Sequence, residues 1–311
     1  MLFTHIALPA PWLAAAFVLV PGGKHSDGVT ENALVYFADG SYLELLAFAD
    51  DERGRAGRPG HRWGAQTEGA VIDWALTLRA PPAPDNPDQQ EDENEDVPES
   101  ARAGFRAIQQ GVRDTSRGAL EYRDLLPGGR HRPDGAVLRW ATSAAARKTA
   151  TGQLQPVEPG VLPFWCLDAT PRGRRVPRWG HGKRTGWEHA SGAVGVAVLQ
   201  VTPPSALETP TGRGGGDESD LRKVYDVLFD GKMDEEGGRW AVEVFEARHE
   251  PGEVRLGERG RDGDGTEKLS LALFTTSREF AGRTVGGPVT DKVRLEFEFV
   301  FASCGYGIWS D

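Results

Sequence analysis

Glu44 makes the strongest claim to chemistry in this sequence, because it stands in a run from Tyr42 to Leu46 (YLELL) whose other members are apolar or aromatic. A carboxylate buried without a partner there is costly, so a cation, an arginine or a protonated state is implied beside it. His5, in the run Phe3 to Ala7 (FTHIA), is an imidazole on a strand. It serves either as a hydrogen-bonded cavity residue or as an acid–base group. Alternation places Phe3, His5 and Ala7 on one face of their strand, and Tyr42, Glu44, Leu46 and Phe48 on one face of theirs. Asp73, in VIDWAL from Val71 to Leu76, reads as a solvent-facing strand residue or a functional carboxylate. Cys166, in FWCLD from Phe164 to Asp168, reads first as a small buried hydrophobe, since no neighbour in the sequence lowers its pKa. Asn32 presents a polar group at the start of a strand, where satisfying a turn is its simpler role. Tyr42 and Phe164 supply aromatic surface suited to a ligand, and His189, opening a later strand, is placed to edge the same cavity.

The elements that position these residues come in a repeat. The run Pro21-Gly-Gly-Lys-His25 recurs as Pro127-Gly-Gly-Arg-His131, 106 residues later, and Asp27-Gly28 and Asp134-Gly135 follow as turn signals. The paired histidines His25 and His131 therefore read as parts of a turn. Each copy is preceded by a strand and a helix and followed by further strands. The first runs from Leu2–Leu8 through a helix near Trp12–Leu19 to strands at Asn32–Ala38 and Ser41–Phe48. The second runs from Ala70–Leu78 through a helix at Ser100–Val112, with Ser100 as its N-cap, to strands at Ala136–Ala141 and Gly160–Asp168. The order is strand, helix, then three strands. The expected fold is α+β: two βαβββ modules, at about residues 1–50 and 70–170, forming one cupped mixed sheet within a domain of residues 1–200. A C-terminal α+β module of residues 201–311 holds one more such unit. In its last strand Val293, Leu295, Phe297, Phe299 and Phe301 share a buried face.

Composition excludes several classes. Forty glycines and 21 prolines in 311 residues argue against a helical bundle and for many short strands. A net charge of −10 argues against a nucleic-acid binder, which needs a basic surface. Eight of the acids lie in an insertion at residues 81–100, so the remaining chain is nearly balanced. The basic run from Pro171 to Arg184 reads as a solvated connector, although its arginines also suit an anionic substrate. The apolar stretch Pro11–Val20 is too short to span a membrane, has no Lys or Arg before it and has no clear small-residue cleavage site after it. With Cys304 as the one other cysteine there is no disulfide framework and no CxxC zinc pattern, which points to the cytoplasm.

The paired modules, with FTHIAL around His5, the run Pro21–Leu34, DGSYLEL at Asp39–Leu45, HRWG at His61–Gly64, EGAVIDWAL at Glu68–Leu76 and LPFWC at Leu162–Cys166, resemble the glyoxalase-like domain family. That family belongs to the vicinal oxygen chelate superfamily, with glyoxalase I, extradiol dioxygenases and bleomycin-resistance proteins. The resemblance covers about residues 1–200. It implies an enzyme, a lyase, isomerase or dioxygenase, acting on a small oxygen-bearing metabolite chelated to a divalent metal. His5 and Glu44 match the ligand positions of the first module, and Asp73 and Cys166 those of the second. Zn, Fe, Mn and Ni all suit imidazole and carboxylate. His5 and Glu44 would also be the catalytic residues, with Asn32, Tyr42, Phe164 and His189 around the ligand. The partner is a small-molecule substrate, with a homodimer admitted and neither nucleic acid nor membrane involved. The alternative is a metal-free protein of the same fold that sequesters a small molecule.

Overall fold

The structure of the protein is a computed structural model. It describes residues 2–5, 11–78, 96–176, 188–203, 218–231, 233–234, 238–242, 250–257, 269–288 and 294–302. Short, turn-separated apolar runs give two mixed sheets. The first begins with β1 (Leu2–His5), helix α1 (Pro11–Ala16), β2 (Val20–Lys24), β3 (Thr30–Tyr36) and β4 (Tyr42–Phe48), followed by the short helix α2 (Glu52–Gly57). It continues with β5 (Val71–Leu76), helix α3 (Glu99–Thr115), β6 (Leu120–Tyr122), β7 (Leu126–His131) and β8 (Val137–Ser143). A hairpin of β9 (Ala145–Lys148) and β10 (Leu154–Pro156) leads to β11 (Phe164–Asp168) and the single turn α4 (Arg172–Arg175). The hairpin and β6 form a small side sheet.

The eight main strands lie in the order β2-β3-β4-β1-β5-β11-β8-β7. β1 runs parallel to β4 and β5 parallel to β11, while the central β1–β5 pair is antiparallel. The two βαβββ halves are thus related by a pseudo-twofold passing between β1 and β5. The outer edges curl together: His25 bridges Arg130, and the Ser26 amide donates to the Gly129 carbonyl at 2.8 Å. That contact makes the sheet a cup.

The second sheet comprises β12 (Ala193–Val201), helix α5 (Glu218–Leu228), β13 (Arg239–Val242), β14 (Gly252–Leu256), β15 (Leu269–Thr275), β16 (Thr284–Pro288) and β17 (Arg294–Phe301). Its order, β13-β14-β12-β15-β17-β16, repeats the pairing of β3-β4-β1-β5-β11-β8 strand for strand, parallel where the first is parallel and antiparallel where it is antiparallel. The C-terminal region therefore holds two reduced copies of the module where the sequence pointed to one. It begins at β12, ahead of position 200.

Alternation gives the first sheet two unlike faces. Val35, Phe37, Leu43 and Leu45 point outward and share one apolar cluster with α1, α3, α5 and the inner residues Leu271, Leu273, Phe297 and Phe299 of the second sheet. Each such side chain contributes roughly 1.5–3 kcal/mol by burial. Thr30, Asn32, Tyr42 and Glu44 point the other way, into the cup. Two expectations are corrected. α3 starts at Glu99 behind Pro98, whose ring stops the helix from extending backwards, so Ser100 lies inside the first turn. Phe301 is 44 % exposed, although Leu295, Phe297 and Phe299 are buried, and Val293 lies outside the described residues. No helix among the described residues is long and apolar enough to cross a membrane.

Candidate functional site

The cup holds a cavity of about 300 Å³. Glu44, on β4, lies on its wall and is 4 % exposed. One carboxylate oxygen accepts from the Asn32 side-chain amide at 2.6 Å and lies 3.4 Å from His25 Nε2. His25 Nδ1 is 2.7 Å from the Thr30 hydroxyl, and its Nε2 is 3.2 Å from Asn32 Nδ2. Burial acts to raise the Glu44 pKa, but the hydrogen bond and charge of His25, with Arg130 and Asn32, outweigh it and hold the carboxyl below its ordinary value. The group is therefore an ionised, buried carboxylate beside an imidazole, which suits general acid–base work.

Across the cup, β7, β8 and β11 contribute Arg130, Trp140, Phe164 and Cys166, and Tyr42, Trp63 and Arg175 complete much of the wall. Arg175, 5 % exposed, lies 2.7 Å from Asp168, donates to Cys166 Sγ at 3.0 Å and sits 4.6 Å over the Trp140 ring. Burial pushes the Cys166 thiol up despite this guanidinium. Asp168 also pairs with Arg172 at 3.2 Å. The start of the basic run is thus packed into the cup wall and is not the solvated connector the sequence suggested; residues 177–187 of that run lie outside the described residues.

The structure brings Asn32, Tyr42, Glu44, Phe164 and Cys166 together around one cavity. It does not bring Asp73 or His189 there. Asp73 is fully buried and its oxygens are taken by Arg62 Nε and Trp63 Nε1 at 2.8 Å each and by the amides of Trp74 and Gly160 at 3.0 Å. Gly160 makes the last bond from a φ of +89°, a conformation that favours glycine. His189 lies behind the cup, between Phe17 and Phe37; its Nδ1 accepts from the Val18 amide at 3.0 Å and its Nε2 donates to the Tyr36 carbonyl at 2.7 Å. It ties α1 to β3. The His5 backbone pairs with Leu46, and its side chain lies outside the described residues.

Sequence reasoning missed the roles of His25, Arg130 and Arg175. Aligning the two Pro-Gly-Gly copies equates His25 with His131, yet the pairing registers equate His25 with Arg130. β2 carries a bulge between Pro21 and Gly23, whereas β7 is regular, so one residue of register is gained on the first side. His131 is accordingly exposed while Arg130 faces the cup. The signal available was the alternation of β7 itself.

Among the described residues no three His, Cys, Asp or Glu side chains converge; Asp73 is saturated by four donors, and Cys166 is a thiol carrying an arginine.

A family model for the glyoxalase-like domain matches residues 5–211, and the chain belongs to that family. No curated protein matches the chain. Among solved structures it is similar to the crystal structure of a hypothetical protein from Staphylococcus aureus, at 12 % identity and a TM-score of 0.52, with 96 % of this chain and 98 % of that one covered. That likeness carries the two-sheet architecture and no function.

Proposed function

We propose that the cup is the substrate site of a glyoxalase-like enzyme that moves a proton on a small oxygen-bearing metabolite, with Glu44 as the proton acceptor. The observation that supports this reading is the buried, ionised Glu44 carboxylate on the wall of the cavity, 3.4 Å from His25 Nε2. A C–H bond next to a carbonyl breaks, its proton passes to Glu44, and its electron pair enters the enolate. Buried cations at the wall favour the oxyanion so formed. Asn32 orients the carboxylate, and His25, beside the same carboxylate oxygen, bears on its ionisation.

The test is deuterium exchange into pyruvate and dihydroxyacetone in D₂O, followed by proton NMR. Wild type is expected to exchange at least one of them, and Glu44→Gln to lose at least ~100-fold of the rate. Exchange unchanged in Glu44→Gln sinks the reading. A second reading, a protein that binds a small molecule without converting it, is supported by Trp63, Trp140 and Phe164 on the wall. Saturable binding with no exchange in wild type brings it forward.

A further inference from the structure

We propose that Arg130 is a carboxylate-binding group and that the ligand of the cup is a small monocarboxylic acid. The other two arginines lining the cavity already face a carboxylate: Arg62 lies 2.8 Å from Asp73 and Arg175 2.7 Å from Asp168. Arg130 is different. It is 4 % exposed, its Nη1 donates to Asn32 Oδ1 at 2.7 Å, it hydrogen-bonds the Tyr36 side chain, and its Nε is buried with no acceptor. Both partners are uncharged, and no carboxylate among the described residues lies within 4.0 Å of the guanidinium.

A guanidinium cannot shed its proton to escape this cost, so a buried one calls for a counter-charge. The cavity is where that charge can arrive. The planar fork of arginine matches a carboxylate bidentately. A monoanion is favoured over a phosphate dianion because the ionised Glu44 shares the wall and repels the second charge. Asn32 sets the spacing: its Oδ1 accepts from Arg130 and its Nδ2 donates to Glu44, so cation and carboxylate stand one amide apart and do not collapse into an ion pair. An acid bound at Arg130 therefore presents the carbons nearest its carboxylate to Glu44. That last step rests on the reading of Glu44 as proton acceptor; the anion subsite rests on Arg130 alone.

Isothermal titration at constant ionic strength tests it, with pyruvate and phenylpyruvate, their primary amides, and inorganic phosphate as probes. At least one acid is expected to bind wild type, its amide to bind at least tenfold more weakly, and phosphate more weakly than the acid. Arg130→Gln, with its fold checked by circular dichroism, is expected to lose at least tenfold for the acid and to stop distinguishing acid from amide. Arg130→Lys should recover part of the loss, and Glu44→Gln should bind the acid at least as well as wild type. Acid and amide binding alike, phosphate binding best, no acid bound by wild type, or Arg130→Gln binding unchanged would each overturn the proposal. Neutral dihydroxyacetone exchanging through Glu44 while no acid binds leaves the proton-transfer reading standing. Acids held by Arg130 with no exchange do the reverse.

Discussion

Glu44 and Cys166 hold the same place in the two halves of the cup. Glu44 pairs with Leu34 across β3–β4, and Cys166 with Thr142 across β8–β11; two residues along, Asn32 pairs with Leu46 as Trp140 pairs with Asp168. The first half thus carries carboxylate and amide where the second carries thiol and indole. Around Glu44 lie an imidazole and an amide that set its ionisation. Around Cys166 lies a guanidinium fixed by Asp168 and laid on Trp140. Under the proposed proton transfer, a site made by two copies of one module needs proton chemistry on only one wall, which frees the other to supply charge, aromatic surface and rigidity.

The sharpest way to break that division is at Asp73, which the second half uses as a buried tie. Asp73→Ala leaves the Arg62 guanidinium, the Trp63 indole and the Gly160 amide without their acceptor. A loss of roughly 3–5 kcal/mol is expected in urea unfolding. A loss under ~1 kcal/mol, with activity abolished, would return Asp73 to the working wall. The next contrast sets Cys166→Ala against Glu44→Gln. The first removes a small buried group and should cost about 1 kcal/mol with exchange within about threefold of wild type. The second should lower exchange at least ~100-fold. Equal kinetic effects would show that both walls do chemistry.

Acid sensitivity sharpens the same contrast with a smaller effect. The folded-state pKa of Glu44 lies below its ordinary value of 4.5. Its contribution to stability is therefore complete above the unfolded value and is lost as pH falls through the folded one. His189 adds a limb at higher pH: burial lowers its pKa from 6.5, so the unfolded chain takes up the proton first and stability falls as pH drops below about 6.5. Urea midpoints measured from pH 7 to pH 3 should show both limbs in wild type. Glu44→Gln should flatten the lower limb only and His189→Gln the upper only.

How far the sequence foretold this follows from which information is local. Alternation in YLELL placed Glu44 on the inner face because parity needs only neighbouring residues. The module order was legible from strand and helix runs, and it emerged as the paired halves of the first sheet. The partner set of Asp73 was not legible, because Gly160 lies 87 residues away. The C-terminal pair of modules was hidden for a different reason: it keeps the strand pairing of the first sheet but no copy of the Pro-Gly-Gly signal. Arg130 was missed because repeat alignment counts residues, whereas a cup counts register.

Gly22 is where that register was gained, and it offers the mildest test of the comparison. The β2 bulge falls between Pro21 and Gly23, with no counterpart in β7. A Cβ at Gly22 would collide with Asn32 Oδ1 and the Arg130 guanidinium, the two ends of the hydrogen bond that separates Arg130 from Glu44. Both are tips of side chains, so Gly22→Ala can be accommodated by moving them, and a stability loss of only about 1 kcal/mol is expected. The cost should fall on the site. Acid affinity should drop a few-fold, less than in Arg130→Gln, and the acid-to-amide preference should narrow while the His189 limb of the pH profile stays in place. Unchanged affinity in Gly22→Ala would mean that the Asn32–Arg130 bond does not set the cup's preference, and the bulge would then be a device for closing the sheet alone.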